Sequence, residues 1–380
     1  MDFGKKRHEV AFINPTFKLI DLIPVIKSIR STWLVYGKNT SKLEKNLADF
    51  LGVTDVVATS SCTTALELAL ILTNLNPGDE VITTPMSWVA STTSIIHHGG
   101  TPVFCDIDSS GLLDLDKVEE LVTPRTRAIL FVDLYGQMPD VYRLRTIADK
   151  HNLILIEDAA HALEAKYEQA APGTVSDFAA FSFHAAKNIT SGQGGALAVR
   201  TKEAGDLARI LRRDGVVNLP DGRRRMLHLG YKFDSTDFQS AMLLKQLGRI
   251  DSLQRKRKKV FDYYLKNIDY RFCKTPTISE KAKHANHLFV VLVNPDLRDQ
   301  IRLLMKERGV TTSIHYESIH MEPYFKENKV LNSENLPNST LFGQGVISLP
   351  TYPQISRKQL RHVVSTLNQA MAKCSNTASR

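Results

Sequence analysis

Lys187 has an unusual setting for a lysine. It follows a predicted buried strand, residues 178–183, and lies in the loop His184-Ala185-Ala186-Lys187-Asn188 instead of on an exposed helix face. A lysine amine held beside a sheet can form and break a Schiff base with an aldehyde. Most lysines are surface residues, so the position indicates such chemistry only together with other groups.

Asp158 ends the apolar run Ile154-Leu155-Ile156-Glu157-Asp158, which predicts a strand. Ligand sites of open α/β sheets lie at the carboxyl ends of strands, and a carboxylate there is costly unless it is paired. The side chain either caps a helix or balances the positive charge of a ligand's ring nitrogen. Strand alternation directs the neighbouring Glu157 to the opposite side of the sheet.

Two further segments follow predicted strands. Thr59-Ser60-Ser61-Cys62-Thr63-Thr64 leads into a helix, where free N–H groups and the helix dipole favour a phosphate, although such residues are also ordinary caps. Trp88 either stacks on a planar ring or belongs to the core. Anion loop, aromatic residue, Asp158 and Lys187 occur in this order on one scaffold, and their combination predicts a site for a phosphorylated planar cofactor.

The elements that position these residues alternate between strand and helix from about Val53 to Arg200. Predicted strands are 56–59, 80–84, 102–107, 127–134 and 153–158, and predicted helices are 63–72, 89–97 and 141–150. This alternation indicates an α/β fold with a mostly parallel sheet covered on both faces. Residues 178–183 and 195–200 form two more strands that no helix separates, so this pair is a candidate for antiparallel pairing.

The second part of the chain has a different pattern. One helical stretch is predicted from Asp237 to about Leu265, followed by strands 287–293 and 346–349 and helices 298–308 and 358–371. We therefore expect a large domain, residues 1–248, and a smaller α+β domain, residues 249–380. The N-terminal segment is counted with the large domain, with packing on the small one as the alternative.

Composition excludes several classes of protein. Among 380 residues, 43% are hydrophobic, which supports a large core, and no apolar run approaches the roughly 20 residues of a membrane span. The four cysteines are scattered, so neither a disulfide framework nor a metal site is expected. The start of the chain does not read as a signal peptide, which makes the cytoplasm the expected location.

The formal charge of +9 comes from dispersed basic residues, with the densest runs at 223–225 and 255–259. A solvated surface explains most of them, and a basic entrance for phosphorylated ligands is the alternative. No nucleic-acid-binding motif occurs in the sequence, so nucleic acid is not an expected partner.

Together these motifs resemble the DegT/DnrJ/EryC1/StrS aminotransferases, which act on nucleotide sugars. The resemblance spans nearly the whole chain and is specific, because both order and spacing match. Its markers here are residues 31–37, 77–82, 134–137, 157–161, 182–184, 187–190, 194–195, 230–232, 236–239, 315–316 and 348–350.

The resemblance implies a pyridoxal 5'-phosphate (PLP) enzyme of fold type I that works as a homodimer with shared active sites. Lys187 would be the Schiff-base lysine and Asp158 the partner of the pyridinium nitrogen. The remaining residues that it implies for cofactor binding are Cys62, Thr63 and Ser182 at the phosphate, Trp88 on the ring, His161 near the 3-hydroxyl, and Lys232 at the phosphate of the neighbouring subunit's cofactor.

Three residues depart from the family's usual pattern. Cys62 and Glu164 stand where Gly is common, and Gln193 replaces a usual Glu, which puts an acid role at that position in doubt. A branch of the family that performs dehydration or deoxygenation has His in place of the lysine, and Lys187 argues against that branch.

The function that the resemblance implies is transfer of an amino group from L-glutamate to a keto sugar of a nucleotide sugar. The Gly230-Tyr231-Lys232 setting and His161 favour a 4-keto sugar. The alternatives are a PLP-dependent aminotransferase of a keto-cyclitol and a non-catalytic PLP-binding regulator. A basic scaffold protein without cofactor is a more distant alternative.

Overall fold

The computed structural model describes residues 9–15, 17–328 and 336–378; the basic start of the chain, residues 1–8, lies outside them. In chain order the described strands are β1 (Asp55–Thr59), β2 (Glu80–Thr83), β3 (Thr101–Phe104), β4 (Thr126–Val132), β5 (Ile154–Asp158), β6 (Lys166–Tyr167), β7 (Phe178–Ser182), β8 (Gly195–Val199), β9 (Val216–Asn218), β10 (Arg224–Met226), β11 (Cys273–Lys274), β12 (Ala282–Lys283), β13 (Phe289–Val293) and β14 (Val346–Leu349). The described helices are α1 (Leu19–Arg30), α2 (Lys38–Leu51), α3 (Cys62–Thr73), α4 (Ala90–His97), α5 (Leu115–Val118), α6 (Val141–His151), α7 (Lys202–Leu211), α8 (Asp237–Leu247), α9 (Ile250–Asn267), α10 (Arg298–Glu307), α11 (Pro323–Asn328), α12 (Pro337–Gly345) and α13 (Arg357–Ala378).

The central sheet has seven strands in the order β1-β8-β7-β5-β4-β2-β3. Strand β8 pairs antiparallel with both β1 and β7, and the other neighbours are parallel. The predicted α/β class with a mostly parallel sheet is confirmed, as is the antiparallel pairing of the two strands that flank Lys187. As a consequence, β1, β2, β4, β5 and β7 all end at the same edge.

Each face of the sheet is covered by its own hydrophobic cluster. Ile129 and Phe131 belong to the cluster on one face, whereas Ala128 and Leu130 belong to the cluster on the other. This division follows from strand geometry, because successive side chains point to opposite faces. It also explains why the buried strands are apolar at nearly every position.

A second, three-stranded sheet has the order β11-β13-β14 and is antiparallel. With α9, α10 and α13 it forms a separate hydrophobic cluster, which Val10 joins from the N-terminal segment. Val10 also forms a parallel bridge with Val310. The division of the chain into residues 1–248 and 249–380 stays a prediction. Among the helices of the described residues, none has the length and apolar character needed to cross a membrane.

The prediction of one helical stretch from Asp237 to Leu265 is wrong. Helix α8 ends at Leu247 and α9 begins at Ile250, with Gly248 between them. Glycine is a weak helix former, and Arg249 leaves the helical conformation there and forms an ion pair with the buried Asp21 of α1. The β9–β10 hairpin was likewise absent from the sequence prediction.

Asp237 links three helices through its buried carboxylate. Its Oδ1 accepts the backbone N–H groups of Asn39 (2.9 Å) and Thr40 (3.1 Å) at the start of α2, and its Oδ2 accepts the Ser28 hydroxyl of α1 (3.1 Å). A carboxylate at a helix N-terminus satisfies free donors and complements the helix dipole. Asp237 therefore fixes α1 and α2 against α8.

The edge of the sheet beside β1 contains a buried ion pair. Arg212, only 1% exposed, donates from Nη1 to Glu44 Oε1 (2.6 Å) and to the Ala58 carbonyl (2.6 Å). The Ala58 N–H donates to the same Glu44 oxygen at 2.9 Å. The guanidinium also lies 4.5 Å from the centre of the Tyr36 ring. The pair thus fixes α2 and the end of α7 to β1, just before the loop that leads into α3.

We predict that Glu44→Gln lowers the free energy of unfolding by about 3 kcal/mol, because it removes the carboxylate that is hydrogen-bonded to the buried Arg212 guanidinium and leaves that charge with the more distant Asp234, 4.0 Å from its Nε. Urea unfolding of the variant and the wild type measures the difference. The matched control is Lys45→Ala, which removes an exposed ion pair with Asp49 and should cost less than about 1 kcal/mol. Equal losses in both variants would contradict the assignment.

Candidate active site

A cavity of about 460 Å³ lies at the edge where the parallel strands end. Cys62 follows β1, Trp88 follows β2, Asp158 ends β5 and Ser182 ends β7, and all four line it. The expected location of a ligand site, at the carboxyl ends of the strands, therefore coincides with a real cavity. In the described part of the chain, no group of three or more His, Cys, Asp or Glu side chains is placed to hold a metal ion.

Asp158 is buried at the cavity wall and held by hydrogen bonds on both oxygens. The Ser91 hydroxyl donates to Oδ2 at 2.7 Å, and the Ala160 N–H donates to Oδ1 at 3.1 Å. Burial raises the pKa of the Asp158 carboxyl, whereas these hydrogen bonds and the Lys187 charge oppose the rise. Its partners favour the ionised form, so the site presents a fixed carboxylate that suits a cationic ring nitrogen.

Lys187 lines the same cavity from the loop between β7 and β8. Desolvation lowers the pKa of its amine to about 8, with the acidic groups of Cys62 and Asp158 opposing the fall. Near neutral pH the neutral fraction of this amine is larger than that of an ordinary lysine, which makes it a better nucleophile and proton acceptor. Two hydrogen bonds between Gln246 and the Thr190 backbone, at 3.0 and 2.7 Å, attach this loop to α8.

The N-terminus of α3 faces the cavity with free backbone donors. Ser61 caps the helix by accepting the Thr64 N–H at 3.1 Å, and its carbonyl accepts the Ala65 N–H at 3.2 Å. The N–H groups of Cys62 and Thr63 have no acceptor among the described residues, and both residues line the cavity. Free N–H groups at the positive end of a helix suit an anion such as a phosphate.

Gly195 is required by this arrangement of loop and helix. A Cβ atom at this position would lie 2.3 Å from the Ser61 carbonyl carbon, so any side chain would displace the start of α3. The Cys62 side chain turns the other way, with Sγ 3.9 Å from Asp158 Oδ1. At Cys62, therefore, the backbone N–H is the group that suits a phosphate, while burial and the Asp158 charge raise the pKa of the thiol.

Aromatic rings form the opposite part of the cavity wall. Trp88 is 60% exposed, and its ring centre lies 6.0 Å from that of Tyr316. His161 Nδ1 accepts the Tyr135 N–H at 3.2 Å, so in the neutral ring the proton is on Nε2, which lies 3.2 Å from the Tyr316 hydroxyl. Burial lowers the pKa of His161 well below its usual value, which keeps the ring neutral.

The structure brings together all but one of the residues that the sequence analysis identified. The residues that share the cavity are Lys187, Asp158, Cys62, Thr63, Trp88, His161 and Ser182. Lys232 does not line it: its side chain is 71% exposed and pairs with Asp234 at 3.0 Å and Asp214 at 3.5 Å. The individual roles of these residues stay predictions.

Sequence reasoning missed several groups at the site. Ser91, which holds Asp158, follows Trp88 by three residues, and its position on the first turn of a helix after a strand was the available signal. Tyr316 and Asn188 were recognised only as parts of motifs. His287 and Arg257 line the cavity from distant parts of the sequence, and no local pattern indicated them.

Glu164, one of the departures from the family pattern, is buried behind the cavity. Its Oε2 accepts a hydrogen bond from Asn188 Nδ2 at 3.0 Å, and Asn188 Oδ1 lies 3.0 Å from His287 Nδ1. Burial raises the pKa of Glu164 to about 7 against the opposing effects of Asn188 and Arg257. Another departure, Gln193, is exposed at the rim, and its carbonyl accepts a hydrogen bond from Gln239 Nε2 at 3.1 Å.

Known proteins share both the sequence pattern and the fold. The model of the DegT/DnrJ/EryC1/StrS aminotransferase family matches residues 21–368. Spore coat polysaccharide biosynthesis protein SpsC of Bacillus subtilis (strain 168) is 33% identical over 380 aligned residues, which cover 96% of this chain and 97% of that protein.

Two solved structures illustrate the similarity of fold. The PLP-form of Spr1654 from Streptococcus pneumoniae has a TM-score of 0.90 and 26% identity, covering 96% of this chain and 99% of that one. PseC of Helicobacter pylori, an aminotransferase involved in the biosynthesis of pseudoaminic acid, has a TM-score of 0.90 and 27% identity, covering 96% and 100%.

The raised pKa of Glu164 predicts a pH-dependent effect on stability. Between about pH 4.5 and 7 the folded protein keeps a proton that the unfolded chain releases, so this group's contribution to stability is lost as the pH rises to 7. Glu164→Gln keeps an acceptor for Asn188 but removes the titration. The stability of the variant relative to wild type should therefore rise by about 2 to 3 kcal/mol from pH 5 to pH 8.

Urea unfolding of both proteins at the two pH values measures this difference, because other titrating groups contribute equally to each. Glu168→Gln is a control, since Glu168 is an exposed acid in the same part of the chain. An offset between Glu164→Gln and wild type that is the same at both pH values would contradict the titration of Glu164.

Proposed function

Because this chain belongs to the DegT/DnrJ/EryC1/StrS aminotransferase family and is a PLP-dependent sugar aminotransferase, we propose that it moves an amino group from L-glutamate to the 4-keto carbon of a nucleotide sugar. Its architecture is that of fold type I PLP enzymes. The observation that carries the proposal is one cavity that contains the Lys187 amine, the Asp158 carboxylate and the free N–H groups of α3.

The donor groups in this cavity fit PLP one by one. The backbone N–H groups of Cys62 and Thr63, with Ser182 beside them, suit the phosphate, and Trp88 supplies an exposed aromatic face. Asp158 would hold the ring nitrogen and Lys187 would carry the aldehyde carbon. When bound, PLP supplies the electron sink for the carbon that loses a proton.

Two charged residues of the wall, Asp158 and Lys187, have tasks in this proposal. Asp158, fixed by Ser91, keeps a negative charge against the ring nitrogen, which maintains its protonated form. Lys187 Nζ would take the proton from the donor's α-carbon and deliver it to the former aldehyde carbon of the cofactor, and its pKa of about 8 allows both directions near neutral pH. In the second half of the reaction the same amine moves a proton in the opposite sense, toward the sugar carbon.

The sugar part of the proposal rests on resemblance and on relatives. Gly230-Tyr231-Lys232 and His161 match the pattern of sugar 4-aminotransferases, which favours a 4-keto substrate. By their names, SpsC acts in polysaccharide biosynthesis and PseC in pseudoaminic acid biosynthesis, which supports a sugar precursor as the substrate here. The exposed basic residues 223–225 on the β9–β10 hairpin would favour a diphosphate.

Incubation of the purified protein with PLP, L-glutamate and a panel of nucleotide ketosugars and keto-cyclitols tests the function. We expect amine products, identified by mass spectrometry, from 4-keto nucleotide sugars, and formation of 2-oxoglutarate. Lys187→Ala should abolish transfer and leave no adduct that borohydride can trap, because no other amine takes its place. The control Lys202→Ala changes an exposed lysine and should keep wild-type rates.

Two results would contradict the proposal. Full turnover by Lys187→Ala would remove the lysine from the mechanism. Amination of keto-cyclitols alone, or binding of PLP without amino transfer to any acceptor, would favour the alternative functions over a nucleotide-sugar aminotransferase.

A homodimer with shared sites is part of the proposal. Large apolar side chains are exposed on α1 and the segment that follows it, and on and after β10; they are Leu19, Ile20, Leu22, Ile23, Ile26, Ile29, Trp33, Leu34, Val35, Met226, Leu227 and Leu229. Exposed apolar surface of this extent marks an interaction site. Lys232 lies close to the second of these groups in sequence, outside the cavity of its own chain, which supports a role in the partner's site.

Mixing two inactive variants tests the sharing of sites. If Lys232 acts across the interface, a dimer of one Lys187→Ala and one Lys232→Ala subunit contains one site with both lysines intact. Random re-association of equal amounts should therefore restore about a quarter of wild-type activity. Each variant mixed with itself is the control. No recovery in mixtures whose hybrid dimers are verified by native mass spectrometry would contradict the role of Lys232.

A further inference from the structure

Arg257 of α9 is a buried guanidinium with few partners. It is 5% exposed, and its Nη1 donates to the Thr351 carbonyl at 2.7 Å. Its Nε has no acceptor, and among the described residues no carboxylate forms an ion pair with it. Burial lowers the pKa of the guanidinium to about 10, with the Glu164 carboxylate opposing the fall. A buried cation with unused donors is costly unless an anion reaches it.

Arg257 is a charged residue of the cavity wall that has no role in the proposed function. Of the described lining residues, those with formal charge are Lys187, Asp158 and Arg257, and the first two belong to the cofactor in the proposed function. The histidines at the wall are neutral, because burial lowers the pKa of each; they are His161, His184, His287 and His315. Arg257 is therefore the cation left for a second anion.

Glu164 offsets the Arg257 charge without occupying its donors. Its Oε2 is taken by Asn188, its Oε1 has no hydrogen-bond partner, and it stays beyond ion-pair distance of the guanidinium. Lys187, His287 and Arg257 line the same cavity. A ligand that contacts Arg257 therefore occupies the cavity that Lys187 also lines.

We propose that Arg257 binds a carboxylate of the amino donor in this cavity. The inference rests on the proposed function, in which the donor is the dicarboxylate L-glutamate. A guanidinium binds a carboxylate through two parallel N–H···O hydrogen bonds, and Arg257 lines the cavity while donating, among the described residues, one hydrogen bond, to the Thr351 carbonyl. The bound carboxylate orients the donor so that its amino end lies toward Lys187.

The test separates donor binding from sugar binding. The PLP enzyme is mixed with L-glutamate, and the change in cofactor absorbance gives an apparent Kd for the donor half-reaction. In Arg257→Gln this Kd should rise at least about tenfold, because a charge-assisted hydrogen-bond pair is lost. The apparent Kd for the keto sugar, measured in the second half-reaction in which the sugar accepts the amino group, should stay the same. Arg255→Gln, an exposed arginine on the same helix, is the matched control.

Calorimetric titration with glutarate, a dicarboxylate that cannot react, measures binding without turnover. Glutarate should bind the wild type and Arg255→Gln equally and Arg257→Gln at least about tenfold more weakly. Arg257→Lys keeps the charge but loses the paired donors, and should show a smaller loss of several-fold. This variant decides the question if circular dichroism shows that Arg257→Gln does not fold.

Two donors identify the carboxylate concerned. If Arg257→Gln raises the apparent Kd for both L-glutamate and L-alanine, Arg257 binds the α-carboxylate. If the apparent Kd rises for L-glutamate alone, Arg257 binds the side-chain carboxylate. Unchanged donor and glutarate binding in a folded variant, or a rise in the Kd of the keto sugar alone, would overturn the proposal. Failure of wild-type enzyme to react with L-glutamate would refute the proposed donor, and glutarate binding would still test Arg257.

Discussion

Asp158 places a negative charge where charge is costly, at the buried end of β5. The structure meets this cost with the Ser91 hydroxyl, the Ala160 N–H and the nearby Lys187 amine. The balance between burial and these partners holds the carboxylate in one orientation, facing the cavity. A cationic ring nitrogen placed against it completes the pairing, and the chemistry of the proposed reaction depends on that charge.

The surrounding fold keeps the two reacting side chains at fixed positions. Gly195 allows β8 to approach the first turn of α3, and Gln246 attaches the lysine loop to α8. The buried pair of Glu44 and Arg212 holds the sheet edge from which α3 starts. Polar contacts that look purely structural therefore determine the distance between the anion-binding N–H groups and Lys187.

A second set of buried polar groups meets the cavity. Glu164, Asn188 and His287 form a hydrogen-bonded chain that runs from behind the wall to the cavity, and Arg257 lines the same cavity with its Nε unpaired. Because Glu164 has a pKa of about 7, the net charge of this region changes near neutral pH. The protonation of Glu164 therefore affects the stability of the fold and the charge around Arg257, where we propose that the donor binds.

Local signals in the sequence determined the alternating strands and helices, the parallel sheet and most of the site. A site residue that follows its strand directly, such as Asp158 or Trp88, is predictable because parallel strands end at a common edge. The same reasoning placed Lys187 between two antiparallel strands, which the sheet confirms. The break at Gly248 was missed, because the helical pattern on both sides continues through a single weak residue.

Only the tertiary structure decided which distant residues complete the cavity. His287 and Arg257 reach it from separate segments, and neither has a local pattern that distinguishes it from a residue of the core or surface. Ser91 is buried behind the wall and acts through its hydrogen bond to Asp158. The sequence determined which side chains are able to carry charge or donate hydrogen bonds. Folding decided which of them lose water and face one another, because burial and distance are properties of the packed chain.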